Sequence, residues 1–215
     1  MNPLRYIAVE GPIGVGKTTL AQLLAEEFQG RLVLEEAEEN PFLPDFYKDS
    51  KRYAFQAQVF FLLSRFRQQK DLAQQDLFQK TTLSDYIFAK DRIFAQLNLE
   101  EEEFNLYQSL YQALEPKVPK PDLVIFLQAS VDTLRQRIKK RGIAYEKHIS
   151  GDYIAGLCQA YNQFFFEYDE TPLLTVNCTE IDIVKNQGDY KNLLREILNM
   201  RKAKLDKHYV SISSR

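Results

Sequence analysis

The hydrophobic positions alternate between short unbroken runs and stripes of helical spacing. Tyr6-Ile7-Ala8-Val9 is a continuous apolar run, the pattern of a strand buried on both faces of a parallel sheet. From Lys17 to Phe28 the spacing becomes helical through Leu20, Leu23, Leu24 and Phe28, and Gly30 follows as the helix stop. Leu32-Val33-Leu34 predicts a second strand. Between about Ser50 and Gln75 a long helix carries Phe55, Val59, Leu62, Leu63 and Phe66 on one stripe. Leu77 to Leu83 reads as a third strand, with Ser84 placed to cap a helix that begins at Asp85. A helix through Phe104, Tyr107, Leu110, Tyr111 and Leu114 ends before Pro116, and Pro119 and Pro121 lead into Leu123-Val124-Ile125-Phe126-Leu127, the clearest strand in the chain. Ser130 or Asp132 caps a basic helix that runs to Arg141 and stops at Gly142. A helix over roughly Gly151 to Tyr168, a fifth strand at Leu173 to Val176 and a last helix at Asp189 to Arg201 complete the pattern.

This alternation predicts an α/β fold, a parallel sheet with helices on both faces. The 215 residues suffice for one well-filled domain over 1–201, and the polar end 202–215 reads as a frayed tail. A chain 45% hydrophobic and 27% charged is neither disordered nor of low complexity. Its formal net charge of -2 provides no global field for a nucleic acid polymer. The longest apolar stretches are too short to span a bilayer, and the N-terminus lacks signal-peptide architecture. Cys158 and Cys178, with His148 and His208, make neither a disulfide framework nor a zinc site; both cysteines read as small packed hydrophobes. The expectation is a soluble, cytoplasmic protein.

The loop after the first strand changes that picture. Gly11-Pro12-Ile13-Gly14-Val15-Gly16-Lys17-Thr18 fits G-x-x-x-x-G-K-[ST], between a buried strand and an amphipathic helix. Glycines there let successive backbone N–H groups turn inward around phosphate oxygens. The helix N-terminus, which continues through Thr19, adds its positive dipole end, Lys17 a mobile charge and Thr18 a hydroxyl ligand for Mg²⁺. A P-loop NTPase-type three-layer fold binding ATP and Mg²⁺ is therefore expected. A GTPase would carry an Asn-Lys-x-Asp element, which the chain lacks, and a motor ATPase would need an acidic pair where the fourth strand ends in Gln128-Ala129-Ser130. What remains is phosphate transfer to a small acceptor.

Three features point to where that acceptor is held. Glu35-Glu36-Ala37-Glu38-Glu39-Asn40-Pro41-Phe42 places carboxylates at the end of the second strand, beside the P-loop, where one could deprotonate an attacking hydroxyl. Read blandly, it is a solvated acidic loop. Gln58 and Arg65 lie seven residues apart on the long helix and face the same side. A carboxamide there suits a nucleobase edge, and an exposed polar face is the alternative. Arg137 and Arg141, at i and i+4, either clamp the transferring phosphoryl group or form an ordinary basic helix C-terminus.

Taken in order, the P-loop, the Glu35-to-Phe42 stretch, Phe55-Gln56-Ala57-Gln58 with Ser64-Arg65, Ser84-Asp85-Tyr86-Ile87-Phe88 and Arg137-Ile138-Lys139-Lys140-Arg141-Gly142 resemble the deoxynucleoside kinases over about residues 5 to 200. The bacterial deoxyadenosine/deoxyguanosine branch carries a similar E-x-x-E-E-N-P-F stretch. The resemblance implies a five-stranded parallel sheet, a homodimer with a helical interface, and transfer of the ATP γ-phosphate to a deoxynucleoside 5′-hydroxyl. It also implies Glu35 as catalytic base, Tyr47 and Glu146 at the sugar 3′-hydroxyl, and Gln58 reading the base. Arg65 and Asp85 match an arginine–aspartate pair beside the base, Phe88 a stacking partner, and Arg137 and Arg141 a lid over about 137–150. Ala57 stands where pyrimidine-preferring relatives carry a bulky aromatic, so a purine is implied. Two positions depart from the pattern. Gln79-Lys80-Thr81 stands where relatives carry an acidic-Arg-Ser/Thr triplet, whose acidic member helps hold Mg²⁺ and whose arginine braces the catalytic carboxylate. Ile143 stands where some relatives have a further arginine. The competing readings are a thymidylate-type monophosphate kinase, a deoxycytidine-preferring kinase and a nucleotide-binding module without chemistry.

Overall fold

The computed structural model describes residues 4–74, 81–181, 186–203 and 207–211. Strand β1 (Tyr6–Glu10) is buried along its whole length, as its unbroken apolar run requires. It is followed by α1 (Lys17–Glu27), β2 (Arg31–Val33), the short α2 (Leu43–Phe46), the long α3 (Ser50–Gln74) and β3 (Thr82–Ser84). Helices α4 (Lys90–Asn98) and α5 (Glu101–Leu114) lead to β4 (Leu123–Gln128). Helix α6 (Val131–Arg141), α7 (Gly151–Glu167), β5 (Leu173–Asn177), α8 (Gln187–Ala203) and β6 (Lys207–Ser211) complete the chain. The sheet order is β2-β3-β1-β4-β5-β6, and every pairing is parallel.

Residues alternate between two cores along the central strands. Ile7, Val9, Ile125 and Leu127 pack on one face with Leu20 and Leu24 of α1, Leu134 and Ile138 of α6, and Leu193 and Ile197 of α8. Ala8, Val124 and Phe126 face the other side, against Ile93 of α4 and Leu157, Tyr161 and Phe165 of α7. The Phe126 and Phe165 rings stack 4.3 Å apart. Both faces are dry because helices cover both, the condition under which a parallel sheet is stable.

The sheet has six strands rather than the expected five. The extra strand, β6, lies within the segment read as a frayed polar tail, and it pairs in register from Leu173↔Lys207 to Asn177↔Ser211. Tyr209 remains 59% exposed, so this edge strand is held by ladder hydrogen bonds and leaves little hydrophobic signature. Strand β3 is shorter than expected, and residues 77–80 of the expected span lie outside the described residues. Ser84 ends that strand instead of capping a helix. Its hydroxyl donates to the Tyr86 carbonyl at 2.7 Å, and helix α4 starts only at Lys90. On α3 the buried face is rotated from the apolar stripe: Leu63 is 44% exposed, whereas Gln58, Ser64, Arg65 and Gln69 are buried. A cavity bordered by Gln58 and Arg65 lies on that side.

Gly30 does not stop α1 by its own conformation; Gln29 takes the left-handed turn at φ 47°. Gly30 is required because a Cβ there would stand 2.3 Å from the Thr81 carbonyl oxygen, where the backbones meet as β2 begins. Gly30→Ala is therefore expected to force the two segments apart and to cost about 1–3 kcal/mol of stability, read as a lower urea midpoint at unchanged slope. A midpoint equal to that of the parent protein would contradict the close approach.

Candidate active site

Strands β1, β2 and β3 end on the same side of the sheet, and each delivers one part of the site. Glu10, fully buried at the end of β1, fixes the start of the glycine loop. Its Oε1 accepts from the Gly11 amide at 2.9 Å and the Tyr161 hydroxyl at 3.0 Å, and its Oε2 accepts from the Ile87 amide at 3.0 Å. Gly16 has φ +109° with no atom within 4 Å of a would-be Cβ, so glycine is needed there for its backbone alone. The Lys17 ammonium lies back inside its loop, donating to the Gly11 and Pro12 carbonyls at 2.8 and 3.3 Å. Burial and the neighbouring Lys90 charge push that ammonium below the ordinary lysine value. Thr19 follows, half-buried, in the first turn of α1.

Asp85, just past β3, ties the three strand ends together. Its Oδ2 accepts the Thr18 hydroxyl at 2.6 Å, and its Oδ1 accepts the Glu35 amide at 2.8 Å. The carboxylate therefore stands beside the hydroxyl of the P-loop.

Above it lies a cluster of four charged side chains. Glu35 Oε1 accepts from Arg65 Nε at 2.7 Å and also from Nη2, while Lys90 Nζ donates to Oε2 at 2.8 Å. Arg65 Nη1 in turn donates to Asp91 Oδ1, and the guanidinium lies 4.7 Å over the Phe61 ring. Arg65, Lys90 and Asp91 are 4%, 2% and 0% exposed. In such a cluster each charge is held by the others, and deleting one member leaves an uncompensated buried ion. Burial opposes ionisation of Glu35, but the Arg65 and Lys90 cations outweigh it and hold the carboxyl well below the usual range. At Asp91 burial dominates and pushes the carboxyl up to about 6.

These groups line a cavity of about 490 Å³. Gln58, 2% exposed, borders it with a side-chain oxygen that has no hydrogen-bond partner among the described residues. Tyr47 borders it too, stacked on Tyr145 with centroids 5.9 Å apart. Glu146 is buried and paired with Arg141, whose Nε donates to Oε2 at 3.1 Å. Burial, partly offset by Arg141, raises the Glu146 carboxyl. The floor thus offers the ammonium of Lys17 and the hydroxyl of Thr18, one wall the carboxamide edge of Gln58 and another the hydroxyl of Tyr47 and the carboxyl of Glu146.

Of the residues singled out in the sequence, Gly14, Lys17, Thr18, Glu35, Tyr47, Gln58, Arg65, Asp85, Arg141 and Glu146 line this cavity. Three expectations need correction. The aspartate paired with Arg65 is Asp91 and not Asp85, because a loop of one turn separates β3 from α4 and carries Asp85 down to Thr18. Phe88 does not border the cavity: it is buried and stacked on Tyr111 at 5.2 Å, and the aromatic walls are Phe61 and Phe94. Arg137 points away, donating to the Val15, Cys178 and Ile181 carbonyls at 3.0, 2.9 and 3.2 Å, so it fastens the glycine loop to the segment after β5. Ala57 is fully buried in the cluster with Leu43 and Phe46, behind the cavity wall. Gln79 and Lys80 lie outside the described residues. Sequence reasoning passed over Lys90 and Asp91. The available signal was the charged triplet Lys90-Asp91-Arg92 inside the otherwise apolar run Ile87 to Ala95, whose first two members are buried and can be so only with partners.

A family model described as deoxynucleoside kinase matches residues 7–201. Among curated proteins, the deoxyguanosine kinase of Bacillus subtilis is 35% identical over 202 residues, 92% of this chain and 98% of that one. The deoxyadenosine kinase of Lactobacillus acidophilus is 33% identical over 208 residues, 90% of this chain and 95% of the other. A solved structure of deoxyadenosine kinase from M. mycoides, with products dCMP and a flexible dCDP bound, superposes with a TM-score of 0.77 at 27% identity. It covers 90% of this chain and 98% of that one.

Because Glu35 titrates below its ordinary value of 4.5 in the folded state, its pairing contributes stability that is complete above that value and lost as pH falls through the folded-state value. Urea titrations of the parent protein and Glu35→Gln should therefore differ most near neutrality, with the gap closing on acidification. A gap that widens below about pH 5 would contradict the paired carboxylate.

Proposed function

The chain belongs to the deoxynucleoside kinase family, and on that premise we propose that it transfers the γ-phosphoryl group of ATP to the 5′-hydroxyl of a deoxynucleoside, deoxyadenosine first and deoxyguanosine next. One observation carries the reading: Glu35, held by Arg65 and Lys90, shares a cavity with the P-loop side chains Lys17 and Thr18 and with the base-facing Gln58. The deoxyadenosine and deoxyguanosine kinases among the relatives support a purine acceptor. The dCMP bound to the M. mycoides enzyme keeps deoxycytidine in the test panel.

In this reading the base enters between Phe61 and Phe94, and the unpartnered Gln58 oxygen accepts from an exocyclic amine. Tyr47 and Glu146 receive the sugar 3′-hydroxyl. The 5′-hydroxyl then lies against Glu35. Transfer of a phosphoryl group through a loose transition state asks little covalent work of the protein, so a carboxylate of low basicity suffices to orient the hydroxyl and take its proton late. Lys17, released from its loop carbonyls by phosphate, and Arg141 neutralise the oxygens of the moving group. Arg137 serves by holding the loop that cradles them.

The residues present fit Mg²⁺. Thr18 Oγ1 and Asp85 Oδ2 are two hard oxygen donors side by side, 2.6 Å apart, and Mg²⁺ characteristically takes one or two protein oxygens and fills its shell with water and phosphate. Held by Thr18 and Asp85, the ion would supply positive charge to the nucleotide phosphates. Asp85 thus fills the acidic role that relatives place at the position of Gln79.

A homodimer is proposed across α4 and α7, where Leu97 and Phe164 border an open groove of about 730 Å³. Among the described residues no helix is long and apolar enough to cross a membrane. The free thiols of Cys158 and Cys178 suit a cytoplasmic setting.

Glu35→Gln is expected to lower kcat by about 10²–10⁴-fold, with deoxyadenosine still bound in calorimetry. Turnover near the parent value would overturn the base assignment. Asp85→Asn should raise the Mg²⁺ concentration for half-maximal activity by at least about tenfold at unchanged deoxyadenosine KM. A panel of deoxyadenosine, deoxyguanosine, deoxycytidine, thymidine and the deoxynucleoside monophosphates at fixed ATP tests the acceptor class. Phosphorylation of monophosphates alone would reject it.

A further inference from the structure

Of the four charges in the cluster the proposed mechanism gives a role to Glu35 alone, and among the other three Lys90 is the one whose placement is hardest to explain by packing. Lys90 is 2% exposed and lines the cavity. It occupies the first position of α4, where the helix dipole disfavours a cation. A buried ammonium set against a helix N-terminus breaks two local rules at once, and violations of this kind concentrate where function requires them.

Its contacts show what it does. The two Arg65 nitrogens Nε and Nη2 both bind Glu35 Oε1, leaving Oε2 as the oxygen free of the guanidinium. Lys90 Nζ lies 2.8 Å from Oε2, and the same ammonium stands 5.8 Å from the centroid of the Phe94 ring, on the cavity wall. Two cations from two helices, α3 and α4, therefore hold one oxygen each and fix the plane of the carboxylate, while Oε2 keeps a second lone pair open. Tyr86, the residue after Asp85, offers no charge to this task; its hydroxyl donates to Gln68 Oε1 at 2.8 Å.

We infer that Lys90 is a positioning residue for phosphoryl transfer, aiming Glu35 Oε2 at the 5′-hydroxyl so that this oxygen and not Oε1 receives the proton. The inference rests on Glu35 being the catalytic base. Lys90 touches neither the base nor the sugar-binding groups Gln58, Tyr47 and Glu146, so its removal should leave nucleoside binding in place. It should affect only the alignment of the reacting hydroxyl. Misplacement by about 1 Å at a reacting centre costs on the order of 10²-fold in rate.

The test is steady-state kinetics of Lys90→Met and Lys90→Gln, the second keeping a hydrogen-bond donor and similar volume should the first fail to fold. Either folded variant should lose about 10²-fold in kcat, with the deoxyadenosine KM within about threefold of the parent value. In the Glu35→Gln background the same change should cost less than about threefold, because the group it aims is no longer a base. A kcat within about threefold of the parent value overturns the inference, as does an equal loss in both backgrounds, which would mark Lys90 as merely structural. If Glu35→Gln alone retains turnover, it is the base assignment that fails, whatever Lys90 does.

Discussion

The structure depends on how Glu35 is held. A carboxylate closing a three-residue edge strand would ordinarily be a solvated side chain with many rotamers, indistinguishable from Glu36, Glu38 and Glu39 beside it. Here Arg65 from α3 and Lys90 from α4 reach it from two sides, and Asp91 holds Arg65 in turn. The cluster carries two cations and two anions, so it can be buried without a net charge. It ties the end of β2 to the two helices that wall the cavity.

That arrangement explains why the polar face of α3 points inward. A helix of 25 residues could have buried its apolar stripe and exposed Arg65 and Gln69, yet the partners waiting on the other side reverse the preference and carry Gln58 inward with them. Gln69 donates to the Tyr6 hydroxyl at 3.1 Å and Gln68 to the Leu34 carbonyl at 3.2 Å, so the polar side chains also join α3 to β1 and to the residue after β2. Leu62 and its neighbours still supply apolar contact to α5, through Tyr107 and Tyr111. The helix turns polar residues to the cavity and apolar ones to the core.

A division of labour among the cations follows from position. Lys17 rests on its own loop, its ammonium held by the Gly11 and Pro12 carbonyls. Arg141, at the end of α6, is paired with Glu146 and sits at the cavity mouth, where it can exchange one partner for another. Arg137, one turn earlier on the same helix, is committed to three backbone carbonyls and makes the cradle rigid. One helical turn separates an arginine bound to backbone carbonyls from one bound to a carboxylate at the cavity, a distinction that charge alone does not reveal.

The chain's own residue order determined the phosphate loop, the alternation of strands and helices, and the presence of an acidic group after β2. Each of these is written locally, in glycine spacing, hydrophobic period or a short motif. Gln58 and Arg65 were also placed on one side by helix geometry. What the order of residues left open was decided by contacts between distant segments. Asp85 and Asp91 are alike as residues, and only the loop between β3 and α4 sends one to Thr18 and the other to Arg65. Phe88 and Phe94 are equally apolar, but the packing of α4 on α5 buries the first and leaves the second at the cavity. The sixth strand is invisible to hydropathy because an edge strand is recruited by the unpaired hydrogen-bonding groups of its neighbour. Local pattern records what a segment can become, while the choice of partner for a charge, a ring or a strand edge is a property of the folded whole.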